Sequence, residues 1–183
     1  MESYLASIIK QFEYYKSLGD KTFNQLEFDE MLWQSNEDAN SIAIIVKHLV
    51  GNMLSRWTNF LTEDGEKPWR NRDDEFISSF NTKEELIAAW ESGWSCLFKT
   101  IKALNENDLE HIVFIRNGGH TVIEAINRQL AHYSYHIGQI VFLGKLLKGN
   151  DWQSLSIPKG NSNSYNEEKF SNEKGKRLFT DDL

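Results

Sequence analysis

The sequence predicts an all-α protein, and three features lead there. Four long stretches place apolar residues at steps of three and four, the spacing that gathers side chains on one side of a helix. Only two prolines occur in 183 residues, so helices can run long without interruption. With 40% hydrophobic and 26% charged residues the chain can bury one complete core, and no Pro/Gly-rich linker divides it into comparable halves. Residues 1–160 therefore read as one helical domain and residues 161–183 as a polar, mobile C-terminal tail.

Taken in order, Leu5, Ile8, Ile9, Phe12, Tyr15 and Leu18 predict a first helix, with Gly19 and Asp20 as a point where it could kink. Residues 28–40 are rich in acids and amides and read as a loop, ending at Asn40 or Ser41 as a helix cap. From Ser41 to Leu61 the stripe Ile42, Ile45, Val46, Leu49, Met53, Trp57 and Phe60 predicts a second helix. The following TEDGEKPWRNRDDEF breaks all periodicity and reads as a surface loop over 62–76 with solvated charges, or as the rim of a site. Thr82 opens a T-K-E-E capping pattern, and Leu86, Trp90, Trp94, Leu97 and Ile101 give a third helix its buried face.

HIVFIRNGGH combines β-branched residues with Asn117-Gly118-Gly119, which predicts a short extended hairpin before the last helix. The fourth helix is the long stretch HTVIEAINRQLAHYSYHIGQIVFLGKLL, residues 120–147. Its pattern is lost at Gly149 and Asn150, after which Trp152, Leu155 and Ile157 are expected to anchor the start of an irregular tail.

Charge and composition exclude some functions. At a net charge of −7, with acids spread along the chain, an extended phosphate backbone meets repulsion, so nucleic acid is not the expected partner. No stretch approaches the ~20 apolar residues that span a bilayer, and the N-terminus does not resemble a signal peptide, so the expected location is the cytoplasm. The single cysteine, Cys96, allows no internal disulfide and reads as a small helix-packing residue.

The histidines carry the chemistry. His132 and His136 are four apart, so on a helix both rings reach a common point, a recurrent start for a divalent transition-metal site. The pair alone is a weak signal. His48 stands one position off the apolar stripe of another helix, where a histidine is either a hydrogen-bonded core residue or a ligand. Converging on one ion, the three would leave a coordination position for water or substrate. His120 lies twelve residues before His132, about 18 Å along a helix at 1.5 Å per residue, too far to share that ion, and reads as a cap or rim residue. His111 reads as exposed. Glu124, Gln129, Gln139 and Asn52 are candidates to orient ligand imidazoles, with Asn52 and Gln129 preferred because they lie one turn from ligand positions.

Three segments, NSIAIIVKHLVGNMLSRWTNFLTEDGEKPWRNRDDEF, GGHTVIEAINRQLAHYSYHIGQIVFLGKLL and WQSLSIPKGNS, resemble the DinB/YfiT-like superfamily of metal-dependent four-helix-bundle proteins. The closest likeness is to its bacterial cytoplasmic branch of unknown function. The resemblance implies an antiparallel four-helix bundle and a nickel- or zinc-like ion held by His48, His132 and His136. It also implies, for some members, thiol S-transfer with a low-molecular-weight thiol such as bacillithiol or mycothiol. Metal-dependent hydrolysis and non-catalytic metal or small-ligand binding stay open beside it. A homodimer and a small-molecule substrate or thiol are the expected partners.

Overall fold

The computed structural model describes residues 2–77 and 79–177, apart from the side chains of Glu2 and Ser3. Among the described residues the chain is mostly helical, with six α-helices and one two-stranded hairpin. The helices are α1 (Glu2–Phe23), α2 (Phe28–Leu32), α3 (Ile42–Trp57), α4 (Lys83–Ala103), α5 (Val122–Lys148) and α6 (Ser162–Phe170). The hairpin strands, β1 (Ile112–Ile115) and β2 (Gly118–Thr121), pair antiparallel just before α5.

The four long helices are amphipathic as the periodicity predicts, and their apolar faces meet in one core. Trp57, Trp90, Trp94 and Tyr133 are fully buried there, with Phe12 edge-on to Trp57 and Trp94. The contacts also fix direction. Tyr4 of α1 hydrogen-bonds Asn127 of α5, and Thr22 lies against Gly144, so α1 and α5 run the same way. Val50 of α3 packs on Gly93 of α4 and the Trp57 carbonyl accepts from Thr100, so α3 and α4 are also parallel. Lys102 pairs with Glu13 and Lys16 with Glu91, which sets α4 antiparallel to α1.

This arrangement explains the long segment between α3 and α4. A parallel neighbour requires the chain to travel back the full length of α3, about 24 Å at 1.5 Å per residue, before α4 begins. The crossover spans residues 58–82 and carries a short 3-10 turn, Asp73–Phe76, back onto α3.

Several local expectations are corrected. α1 continues through Gly19 to Phe23 because the missing side chain is a packing device: a Cβ there would lie 2.5 Å from Trp90 Cζ2. The 28–40 loop contains α2, closed by a capping box between Glu27 and Glu30, with Met31 buried. The hairpin turns at Arg116 and Asn117, immediately before the Gly-Gly pair, both with positive φ. The Asp64 carboxylate accepts both of their backbone N–H groups, which supports a turn that Asn-Gly ordinarily makes alone. Thr82 caps α4 by accepting from the Glu85 amide, and the Glu85 carboxylate reaches the Asn81 amide.

The tail is not wholly irregular. Trp152 packs on Gly144 of α5, and α6 follows with no buried residue and Lys169 over the Tyr165 ring. A helix polar all round leaves no periodic signal in the sequence. The last six residues of the expected tail, 178–183, lie outside the described residues. No helix among the described residues is long and apolar enough to cross a membrane.

Candidate metal centre

The site forms where α3 and α5 face one another in opposite directions. On α3, His48, Asn52 and Arg56 succeed one another at four-residue steps; on α5, Arg128, His132 and His136 do the same. The two rows meet and line an open cavity of about 380 Å³. A buried chain of hydrogen bonds fixes their relative height, since Trp57 Nε1 donates to the Tyr133 hydroxyl, which donates to Asn52 Oδ1, each at 3.0 Å.

His48 Nε2 lies 3.3 Å from His132 Nε2, and one ligand nitrogen from each of His48, His132 and His136 falls within 4.8 Å of the others. Ligands of a tetrahedral ion at about 2.1 Å are spaced by roughly 3.4 Å, so a small ring adjustment would bring all three onto one ion. Among the described residues no fourth His, Cys, Asp or Glu joins the cluster.

The outer nitrogens of His48 and His136 are held by acceptors, which orients their rings. His48 Nδ1 is 2.9 Å from Glu75 Oε2, and an ionised carboxylate only accepts, so Nδ1 donates to it and Nε2 is the nitrogen turned toward the other rings. His136 Nδ1 likewise faces Gln139 Oε1 at 2.8 Å. Burial, with the charges of His136 and His48 adding to it, pushes His132 down to about 3, and burial also lowers His136. His48 and His136 are thus each backed by an acceptor, and burial disfavours the charged form of His132 and His136, conditions that suit ring nitrogens to a transition-metal site.

No periodic signal in the sequence marks Glu75. It comes from the crossover, 27 positions from His48, and is 4% exposed. Burial raises its carboxyl, but hydrogen bonds from His48 and Arg70 outweigh that and hold it below the ordinary range. Arg70 grips it through Nε at 2.7 Å and a second nitrogen at 2.9 Å. The loop expected to be solvated is thus docked by its charges: Lys67 and the Arg70 side chain are buried as well, with Lys67 donating to the Asp64 carbonyl. Buried ions persist because each has a partner.

The docking depends on Gly51, where a Cβ would collide with the Glu75 carboxylate. Gly51→Ala should raise intrinsic helix propensity by about 1 kcal/mol and nonetheless destabilise the protein by about 1–3 kcal/mol through overpacking. A urea titration reads the sign directly.

The remaining sequence candidates fall as follows. Asn52 and Gln129 line the cavity, but neither bonds an imidazole among the described residues: Asn52 serves Tyr133, and the buried Gln129 Oε1 has no partner. Gln139 holds the position beside an imidazole instead. Glu124 closes a capping box with Thr121 at the start of α5. His120 lies on β2 beside Arg128, at 3.3 Å, and His111 is exposed on the edge of the hairpin. Cys96 is half-buried near Thr58, away from the three histidines. A larger groove of about 950 Å³ between α6 and the ends of α1 and α5 holds no such cluster of ligand atoms among the described residues.

The neutral rings set a pH dependence for the metal-free protein. The unfolded chain protonates its histidines near 6.5, whereas folding lowers His132 to about 3 and lowers His136 as well. Unfolding therefore takes up protons between those values, and stability falls as pH drops below about 6.5. Glu75, also lowered, adds to the loss as pH falls through the carboxylate range. A urea midpoint clearly lower at pH 5 than at pH 7.5 in chelator-treated protein is the expected result.

Fold and site together define a helical protein whose three-histidine cluster could hold a metal ion. Residues 1–161 match the family described as "Protein of unknown function (DUF1572)", and the chain belongs to that family. No match was found among curated proteins or among solved structures.

Proposed function

We propose that the protein is a divalent-metal-binding antiparallel four-helix bundle of the DinB/YfiT-like kind, with α1, α3, α4 and α5 as the bundle. His48, His132 and His136 hold zinc or nickel, and the site serves thiol S-transfer with a low-molecular-weight thiol in the cytoplasm. The carrying observation is the convergence of three imidazole nitrogens, without a fourth protein ligand among the described residues, at the floor of an open cavity.

The metal, when bound, supplies a lowered pKa for a thiol or water at the open position. Glu75 and Gln139 orient His48 and His136, and Tyr133 with Asn52 holds α3 and α5 in register. The thiol sulfur forms a bond to an electrophilic carbon, the leaving group departs with the bonding pair, and the thiol proton passes to solvent through the cavity mouth. Thiol transfer is preferred to hydrolysis because among the described residues no carboxylate lines the cavity and Glu75 is occupied by His48 and Arg70, so none of them stands ready as a general base for water.

Elemental analysis of untagged protein, followed by transfer assays with a panel of cellular thiols and monobromobimane, tests both halves. Absence of stoichiometric metal would end the metal reading; metal without transfer would leave a binding protein. Tyr135, Phe142 and Leu146 form an exposed apolar row on α5, which is the face we assign to a homodimer. A monomer by light scattering at micromolar concentration would remove that assignment.

A further inference from the structure

We propose that the cavity above the histidines takes a small molecule bearing two or more carboxylate or phosphate charges, whose anionic end is held by Arg72, Arg116 and Arg128. Its opposite end faces the imidazoles; only that orientation rests on the metal reading above.

The chain carries a net charge of −7, yet every charged side chain lining this cavity, histidines apart, is an arginine. Arg56 comes from α3, Arg70 and Arg72 from the crossover, Arg116 from the hairpin turn and Arg128 from α5. Four separate segments thus bring like charges together, an arrangement that folding alone disfavours.

Two carboxylates bind these arginines. Glu66 contacts Arg56, Arg70 and Arg116, each within 3.5 Å, and Glu75 is taken by Arg70 and His48. Among the described residues five guanidinium groups are thus met by two bound carboxylates, with the charge of Asp64 also felt by Arg56. Asp64, at the same hairpin, is turned to the backbone amides of Arg116 and Asn117. Arg72 and Arg128 have no carboxylate partner among the described residues: Arg72 lies over the Phe76 ring and Arg128 beside His120.

The inner pair and the outer three differ in exposure. Arg56 and Arg70 are buried and engaged, whereas Arg72, Arg116 and Arg128 reach solvent at the mouth. Arg116 occupies the left-handed region at φ 53°, uncommon for a long side chain, and the Asp64 bonds hold it there. Planar guanidinium forks match carboxylate and phosphate oxygens two at a time, and a concave site focuses their field. The volume, about 380 Å³, suits a small ligand rather than a macromolecule. Gln129 Oε1, buried without a partner on the same wall, offers an acceptor for a donor on that ligand.

Titration calorimetry on the full chain tests this with succinate and inorganic phosphate against chelator-treated protein. At least one anion should bind, and Arg72→Gln with Arg128→Gln should weaken it at least tenfold while circular dichroism is unchanged. The stronger anion distinguishes carboxylate from phosphate. In protein as purified, mercaptosuccinate should bind at least tenfold tighter than thioglycerol, the neutral thiol. Failure of both anions to bind, unchanged affinity in the arginine variants, or equal binding of the two thiols would overturn the proposal. Arginine-dependent binding of succinate, with no gain for mercaptosuccinate over succinate, would sink the metal-thiol reading and leave the anion site standing.

Discussion

Glu75→Ala is expected to weaken metal binding roughly 10–100-fold and to destabilise the metal-free protein by about 3 kcal/mol. Two separate losses combine there. His48 loses the acceptor that fixes its tautomer and ring angle, so its inward nitrogen is no longer aimed. Arg70, 3% exposed at its side chain, loses the carboxylate it binds twice and keeps only Glu66 at 3.5 Å. Removing one partner of a buried pair leaves the other charged and without solvent, which is why the stability cost falls in the range of broken buried salt bridges rather than surface ones. Glu75→Gln keeps an acceptor for His48 and should lose less of both. Chelator competition reads the first effect and urea unfolding the second; an unchanged affinity in Glu75→Ala would remove the carboxylate from the site.

His48→Ala, His132→Ala and His136→Ala should each take stoichiometric metal down to background. The linkage consequence is as large. An ion present at a hundredfold excess over its dissociation constant stabilises the folded state by about 2.7 kcal/mol, so chelation should lower wild-type stability by that order. In the three variants chelation should change nothing. His132 and His136 are only partly buried, so those two variants are expected to fold, and metal content of all three is compared at equal helicity because His48 is buried against Glu75. A variant that retains the ion would show that its ring is not a ligand.

The ligand candidates and their supports were legible to very different degrees. His132 and His136 announce themselves because four residues is one helical turn, and His48 because it interrupts the edge of an apolar stripe. Arg128 and Arg56 carried the same signal, standing four before His132 and eight after His48, and on facing helices those offsets put them at the cavity wall. Gln139 was visible at three residues from His136. Asn52 and Gln129 satisfied the same spacing and yet serve Tyr133 and an empty acceptor position, because spacing gives the face of a helix and not the partner opposite.

Glu75, Arg70 and Arg116 had no periodic signal at all. They belong to the crossover and the hairpin turn, whose paths depend on which helices lie side by side. Sequence periodicity and caps determine the helices themselves, since steps of three and four and a Ser or Thr at the start are local properties. They do not determine that α3 and α4 run parallel, which forces residues 58–82 back along α3 and lays a charged loop, expected in solvent, against His48. Local interactions repeat along one chain segment and can be read from it. The site's electrostatics arise between segments, and only the packed structure brings those together.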